Sequence, residues 1–277
     1  MDRYVVIGNP VSHSKSPAIH RMFATQTGQA LEYSTLLAPP DAFHKTALAF
    51  FTSGGKGANI TVPFKQDAFE LAAVKTPEAE QAGAVNTLYL NSDKAVCGHN
   101  TDGLGLVRDV LANHGGTLAG KRLLILGAGG ATRGILLPFI QQRPACICIA
   151  NRTVDKAAAL TNGFAGLARE LEVGSLYGCG FDDLAGESFD WVFNATAASL
   201  QNELPPLPDG IVSPATWCYD LMYGDEPTLF CRWATRAGAA RVMDGLGMLV
   251  EQAAESFQLW RGVRPETGPV LARLRQQ

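Results

Sequence analysis

Short apolar runs and longer segments with helical spacing alternate along the whole chain. In the first hundred residues, runs at 4–7, 31–37 and 58–62 have the length and composition of strands. Segments with helical character follow them, at 16–27, 41–51, 65–74 and 77–82. Two further short strands are predicted as a pair, at 86–89 and 95–97. Alternation of this kind predicts an α/β layer with a mainly parallel sheet.

The second half continues this pattern around a cluster of glycines. An apolar run at 122–126 ends in the glycines, and a helix-compatible segment at 131–140 follows. Gly127 and Gly129 fill the first two positions of G-x-G-x-x-G, whereas Thr132 stands at the third. Strand, glycine turn and helix in this order predict a dinucleotide site, because phosphate can approach bare backbone amides at a helix N-terminus.

The rest of the second half alternates in the same way. Strands are predicted at 146–150, 175–177, 191–194 and 216–220, and helices at 102–114, 154–170 and 228–237. A long apolar-striped helix is predicted at 245–260. Periodicity alone leaves open whether this last helix packs on the second domain or returns to the first.

A positive charge follows the second strand of the dinucleotide half. Asn151, Arg152 and Thr153 come about 20 residues after the glycine turn, where NAD enzymes usually place an acidic residue for the ribose hydroxyl. Arginine at this point suits a 2′-phosphate, and Lys156 can add a second charge. The alternative is a helix cap with incidental charges. We interpret the combination as a preference for NADP over NAD.

Polar clusters in the first half stand where predicted strands end. Ser14 and Ser16 precede a helix and could bind a carboxylate, although Ser16 could simply cap that helix. Thr61 and Lys65 form a second cluster, and a lysine on a surface helix is normally a solvated charge.

Asn86 and Asp102 stand in two further clusters, and Asp102 could merely cap the helix that follows it. Together with Thr61 and Lys65, Asn86 and Asp102 provide donors and acceptors suited to binding a molecule with several hydroxyl groups. A lysine held by an aspartate is also a workable acid–base pair.

Composition narrows the function classes. With 277 residues the chain can form two domains, and its 47% hydrophobic and 18% charged residues are ordinary for a globular protein. A net charge of −3 without a run of Lys or Arg argues against nucleic acid or an acidic membrane as a partner. The N-terminal apolar run is too short for a signal peptide and no run spans a membrane, so a cytoplasmic location is expected.

Cysteine and histidine spacing predicts no metal site. The six cysteines make no C-x-x-C pair, and the histidines show no H-E-x-x-H arrangement. Cys146 and Cys148 face the same side of a predicted strand, where buried free thiols are expected rather than metal ligands or a redox pair.

Seven segments of the chain match one known family in order. They are NPVSHSKSP (9–17), NITVPFK (59–65), GAVNT (83–87), NTDG (100–103), GAGGA (127–131), NRT (151–153) and DGLGMLVEQA (244–253). In these segments the chain closely resembles the shikimate dehydrogenase family, nearly end to end. The resemblance implies reversible NADPH-dependent reduction of 3-dehydroshikimate to shikimate, a step of aromatic amino-acid biosynthesis, by a monomer or homodimer.

The resemblance also implies a domain plan. Residues 1–101 with 238–277 would form the substrate domain and residues 102–237 the Rossmann-type NADP domain, with the active site in the cleft between them. The C-terminal helix would then return to the first domain. The family pattern makes Lys65 and Asp102 the catalytic pair.

The resemblance assigns the remaining site residues as follows. The substrate carboxylate would lie among Ser14, Ser16 and Tyr223, and the hydroxyls among Thr61, Lys65, Asn86, Asp102 and Gln252. The cofactor would contact Gly127, Ala128, Gly129, Gly130, Ala131, Asn151, Arg152, Thr153, Lys156, Thr196, Gly245 and Met248.

One departure from the family pattern is Ala197-Ala198-Ser199 after the fourth strand of the nucleotide domain, where a serine and a glycine are usual. Two other functions remain possible at this point: a quinate/shikimate dehydrogenase that uses NAD, or a non-catalytic small-molecule sensor.

Overall fold

The computed structural model describes residues 1–196 and 203–276, and the chain divides into two compact units. The first is Met1–Arg108 with Leu249–Gln277, and the second is Asp109–Met248. The sequence predicted the boundaries after residues 101 and 237. They fall later because the helix after residue 101 packs on the C-terminal helix, with Gly105 against the Gln252 backbone, and because residues 241–243 form a strand of the second sheet.

Strands and helices follow the predicted alternation. The strands are β1 (Asp2–Gly8), β2 (Leu31–Leu37), β3 (Gly57–Ile60), β4 (Val74–Lys75), β5 (Thr87–Leu90), β6 (Val96–His99), β7 (Arg122–Leu126), β8 (Cys146–Ala150), β9 (Leu176–Cys179), β10 (Trp191–Asn194), β11 (Trp217–Asp220) and β12 (Arg241–Met243). The α-helices are α1 (Ser16–Thr27), α2 (Phe43–Thr52), α3 (Lys65–Leu71), α4 (Pro77–Ala82), α5 (Asp102–Arg108), α6 (Gly130–Gln141), α7 (Val154–Glu170), α8 (Leu229–Arg236), α9 (Leu246–Arg261) and α10 (Gly268–Leu274).

The first unit contains a mixed six-stranded sheet in the order β2-β1-β3-β5-β6-β4. β1 pairs in parallel with β2 and β3, whereas β5 runs antiparallel to β3 and β6. The predicted strand pair is therefore an antiparallel ladder. The helix predicted at 65–74 ends at Leu71, because Ala72 takes an extended backbone, and Val74–Lys75 joins the sheet edge. A two-residue strand is too short to leave a periodic signal in the sequence.

The second unit is a fully parallel six-stranded sheet in the order β12-β11-β10-β7-β8-β9. This arrangement confirms the predicted Rossmann-type layer. Cys146 and Cys148 are buried in β8 and carry free thiols, as expected. β12 and α10 were not predicted. The helix predicted at 102–114 is α-helical only to Arg108 and continues as a π-helical turn, Asp109–Asn113.

An aromatic cluster around His20 holds α1 and α9 against the first sheet. The His20 ring stacks on Tyr33 with 4.1 Å between ring centroids, and Phe23, Phe257 and Trp260 surround it. His20 is fully buried, and within the described residues neither ring nitrogen has a hydrogen-bond partner. Burial therefore lowers the pKa of His20 to about 3.

This buried histidine makes stability depend on pH. The unfolded chain binds a proton at His20 near pH 6.5, whereas the folded chain binds it only near pH 3. The contribution of neutral His20 to the free energy of unfolding is therefore fully present above pH 6.5, and it is lost as the pH decreases toward 3. Between pH 7 and pH 5 we expect a loss of about 2 kcal/mol from this group. Urea unfolding of His20→Phe between pH 7 and pH 5 should show a loss of stability smaller by that amount. The control His13→Gln, at an exposed site, should lose as much stability over this range as wild type.

Among the described residues, no helix combines the length and the apolar character that crossing a membrane requires.

Candidate active site

Lys65 and Asp102 form an ion pair in the first unit. Lys65 is the first residue of α3 and Asp102 the first of α5, and 2.6 Å separate the Lys65 Nζ from the Asp102 Oδ2. The side chains are 37% and 20% exposed, so solvent and small molecules can reach both. Lys65 is paired with a carboxylate and is therefore more than a solvated surface charge.

Asn86 completes this group, and its amide orientation is determined by its neighbours. The backbone N–H of Thr101 donates to Asn86 Oδ1 at 2.9 Å, which identifies that atom as the carbonyl oxygen. The amide nitrogen then faces Asp102 and donates to its Oδ1 at 2.8 Å. Both oxygens of Asp102 are thus engaged by side chains, one from Asn86 and one from Lys65.

Gln252 on α9 lies beside the same amide. Its Nε2 donates to the Leu249 carbonyl at 2.8 Å, so its Oε1 points toward Asn86 Nδ2, 3.4 Å away. The Thr101 hydroxyl lies 3.3 Å from the same Oε1 and 2.9 Å from Asn86 Nδ2. Thr101 is fully buried and was not among the predicted site residues, although it stands in the quoted NTDG segment.

Two serines lie at the start of α1. The helix begins at Ser16 and its cap position is Lys15, so Ser16 is not the capping residue. Ser14 Oγ accepts from the Ser16 backbone N–H at 3.3 Å. Ser16 is buried and Ser14 is partly exposed.

Thr61 lies just after β3, packed tightly against the end of β1. A side chain at Gly8 would come within 2.4 Å of the Thr61 methyl group, so only glycine fits at that position. The Thr61 backbone N–H donates to the Ile7 carbonyl at 3.0 Å, which holds Thr61 at the carboxyl ends of the parallel strands β1 and β3. Tyr223, in contrast, belongs to the second unit, where burial raises the pKa of its hydroxyl.

The glycine turn of the second unit connects β7 to α6. Gly127 adopts φ +99°, a backbone conformation that favours glycine, and Gly129 precedes the first residue of the helix. Nothing lies within 4 Å of the positions that Cβ atoms at Gly129 and Gly130 would take, so a ligand can approach this backbone. Thr132 fits at the third motif position because its buried hydroxyl donates to the Gly127 carbonyl at 2.7 Å.

A polar cavity of about 180 Å³ adjoins this turn. It is lined by Ala128, Gly129, Asn151, Arg152, Thr153 and Lys156. Asn151 Oδ1 accepts from the Ala128 N–H at 3.3 Å and links the two loops. Arg152 and Lys156 are exposed, and neither forms a salt bridge within 1–196 and 203–276. The cavity therefore offers two available positive charges to an anion.

The last predicted cofactor residues lie at other loops of this unit. Thr196 donates to the Asn194 side chain at 2.7 Å after β10. Gly245 lies so close to the Leu221 carbonyl that a Cβ would come within 2.2 Å of its oxygen, and the Met248 N–H donates to the Tyr219 hydroxyl at 3.3 Å. The atypical Ala197-Ala198-Ser199 segment lies outside the described residues.

Three family models match the chain along most of its length. They are described as "Shikimate dehydrogenase substrate binding domain" for residues 6–88, "Shikimate / quinate 5-dehydrogenase" for 109–201, and "Shikimate 5'-dehydrogenase C-terminal domain" for 245–275. A curated relative from Alkalilimnicola ehrlichii, named shikimate dehydrogenase (NADP(+)), is 56% identical over 276 residues and covers 100% of this chain and 99% of its own. The chain belongs to the shikimate dehydrogenase family.

Solved structures of similar proteins agree with this family. An Ael1 enzyme from Pseudomonas putida is 48% identical with a TM-score of 0.92, over 99% of this chain and 98% of its own. A shikimate 5-dehydrogenase from Thermus thermophilus, described in complex with NADP(H) and shikimate, is 30% identical with a TM-score of 0.84, over 100% and 99%.

The residues of the second unit fit NADP(H), which is the cofactor named for these two shikimate dehydrogenases. The open glycine turn at the start of α6 suits a pyrophosphate. The cavity lined by Arg152 and Lys156 suits the additional phosphate on the ribose, because guanidinium binds phosphate through paired, charge-assisted hydrogen bonds.

Proposed function

We propose that this chain catalyses the reversible, NADPH-dependent reduction of 3-dehydroshikimate to shikimate in aromatic amino-acid biosynthesis. The observation that carries the proposal is the 2.6 Å pair of Lys65 and Asp102 beside the amide of Asn86. A proton donor, a carboxylate and an oriented amide at one point suit a substrate with several ring oxygens. The polar cavity lined by Arg152 and Lys156, which suits a phosphate, and the names of the relatives support the same reaction.

Lys65 is the proton donor in this proposal. When bound, NADPH supplies the hydride that reduces the 3-keto carbon. The keto oxygen gains negative charge, and the ammonium of Lys65 stabilises it and gives it a proton. Asp102 holds the Lys65 ammonium in place and accepts a hydrogen bond from the new hydroxyl. In the reverse direction Lys65 takes that proton back.

The other polar residues of the first unit bind and orient the substrate. Asn86, Thr61 and Gln252 present amide and hydroxyl groups that suit the hydroxyls of the ring. Ser14 and Ser16 supply hydroxyl donors for the carboxylate, and we assign Tyr223 to the same group. Orientation of this kind places the keto oxygen within reach of Lys65.

The cofactor residues of the proposal lie in the second unit. Backbone groups of 127–131 would hold the pyrophosphate, and Arg152 and Lys156 the 2′-phosphate, with Asn151 and Thr153 forming the loop that carries Arg152. Thr196, Gly245 and Met248 complete the predicted contacts.

The test is an assay of the purified protein with 3-dehydroshikimate and NADPH, followed by NADPH absorbance and by chromatography of the product. We expect conversion to shikimate, and a much lower rate with NADH. Efficient oxidation of quinate with NAD would instead indicate the quinate-type enzyme. Calorimetric binding of shikimate without any turnover would indicate a sensor, and either result would contradict the proposal.

A further inference from the structure

A chain of buried hydrogen bonds connects the first sheet and α9 to Asn86. The Tyr33 hydroxyl donates to Asn59 Oδ1 at 2.8 Å, and Asn59 Nδ2 donates to Ser256 Oγ at 2.9 Å. Ser256 Oγ lies 2.8 Å from Thr87 Oγ1, which donates to Asn86 Oδ1 at 2.9 Å. All five side chains are buried, and Thr87 and Ser256 are fully so. We call these five residues the buried hydrogen-bond chain.

The donors in this chain can all point the same way. Asn59 Nδ2 donates to Ser256 Oγ at 2.9 Å and to Thr87 Oγ1 at 3.2 Å, and Thr87 in turn donates to the carbonyl oxygen of Asn86. Asn86 then donates to Asp102. Hydrogen bonds aligned in one direction polarise one another. The alignment favours the amide orientation in which Asn86 donates to the carboxylate of Asp102.

Ser256 also connects this chain to Gln252. The two residues are one turn apart on α9 and therefore share a face. Ser256 Oγ donates to the backbone carbonyl of Gln252 at 3.1 Å and lies 3.4 Å from the Thr101 hydroxyl, which itself contacts both side-chain amides. The Ser256 hydroxyl therefore contacts both Thr87, which donates to Asn86, and Thr101, which contacts the amides of Asn86 and Gln252.

We propose that Thr87 and Ser256 are positioning residues that set the orientation of the Asn86 and Gln252 amides, and so the affinity and selectivity for a hydroxylated ring. The proposal rests on the function proposed above. An asparagine amide has two orientations of nearly equal shape, and the wrong one turns its carbonyl oxygen toward the Asp102 carboxylate. Apart from the backbone N–H and hydroxyl of Thr101, Thr87 supplies a hydroxyl donor that favours the correct orientation.

Paired substitutions at Thr87 separate positioning from packing. Thr87→Val keeps the shape and removes the hydroxyl, whereas Thr87→Ser keeps the hydroxyl and removes a methyl group. We expect Thr87→Val and Ser256→Ala to raise the KM for shikimate about 5- to 10-fold, which corresponds to one net hydrogen bond. The KM for NADP+ and kcat should change less than about 2-fold, as should all constants of Thr87→Ser.

Deoxygenated substrates give a readout that a packing role would not change. Wild type should discriminate shikimate from its 4-deoxy or 5-deoxy analogue more strongly than Thr87→Val or Ser256→Ala does. The reason is that the Asn86 and Gln252 amides, which bind the ring hydroxyls, are held less firmly in the variants. The control Thr161→Val removes a buried hydroxyl of the second unit that donates to carbonyls of its own helix, α7, and it should leave the shikimate KM unchanged.

Several outcomes would overturn the positioning role. They are an unchanged shikimate KM in Ser256→Ala, a larger effect of Thr87→Ser than of Thr87→Val, or an equal effect of the Thr161 control. If thermal unfolding shows that Thr87→Val is not folded, the result for Ser256→Ala alone decides whether the positioning role holds. A wild-type protein without shikimate turnover would contradict the proposed function itself, which the variants do not test.

Discussion

We expect the replacement of Lys65 with alanine to lower kcat for the reduction of 3-dehydroshikimate by about 10²- to 10⁴-fold, the usual contribution of a positioned general acid. The reason is the position of the ammonium, 2.6 Å from Asp102 Oδ2 and supported through that carboxylate by Asn86. No other residue of this group can give up a proton as an ammonium does. Steady-state kinetics with 3-dehydroshikimate and NADPH, together with the Kd for shikimate, measure the effect.

A matched control is Lys56→Ala, which removes an exposed lysine of the same unit and should leave kcat unchanged. Stability should change little in Lys65→Ala, because a partly exposed pair contributes at most about 1 kcal/mol. Near-normal turnover would exclude Lys65 as the proton donor. Loss of shikimate binding with kcat preserved would make Lys65 a substrate anchor instead.

Reversing the charge at Arg152 changes the cofactor preference. We expect Arg152→Asp to lower the ratio of kcat/KM for NADPH to that for NADH by about 100-fold, since a charge-assisted pair with phosphate is lost and a repulsive carboxylate replaces it. Arg152 and Lys156 both line the polar cavity beside the glycine turn, so Lys156→Ala should produce a smaller change in the same direction. Calorimetric Kd values for NADP+ and NAD+ give a second measurement that does not depend on turnover.

Arg169→Asp is the matched control, because it changes the net charge by the same amount at the far end of α7, the helix that follows Arg152. It lies in the last turn, about 22 Å along the helix axis from Val154, which is beyond the range of electrostatic influence at physiological salt. Its cofactor ratio should equal that of wild type. An unchanged ratio in Arg152→Asp would show that the 2′-phosphate assignment is wrong.

The sheet of the second unit was predictable because its strongest signals are local. β7 from Leu123 onward and all of β8 are buried on both faces, so each appears in the sequence as an uninterrupted apolar run. The glycine turn between β7 and α6 requires residues without side chains. β4 and β12 were missed because two and three residues carry no period, and they become strands only by pairing with β6 and β11.

The sequence pointed to residues that lie together in the candidate site, but not to all the buried residues that contact them. The resemblance pointed to Lys65, Asn86, Asp102 and Gln252, and the structure brings these four together in one unit. It did not point to Ser256, whose only sequence signal is its position four residues after Gln252 on the same helix face. Thr132 departs from the glycine motif, and only its hydrogen bond to the Gly127 carbonyl shows how threonine is accommodated.

By itself the sequence determined the α/β class, the glycine turn, the arginine that follows β8 and, through its motifs, the family. These properties depend on neighbouring residues, because period, turn chemistry and motif spacing are all local. Only the tertiary structure decided the 2.6 Å contact between Lys65 and Asp102 and the contact of Ser256 with Thr87, the residue that donates to Asn86. Those residues are far apart in sequence, and their hydrogen bonds exist only after the strands and α9 have packed, when burial makes each unpaired polar group costly.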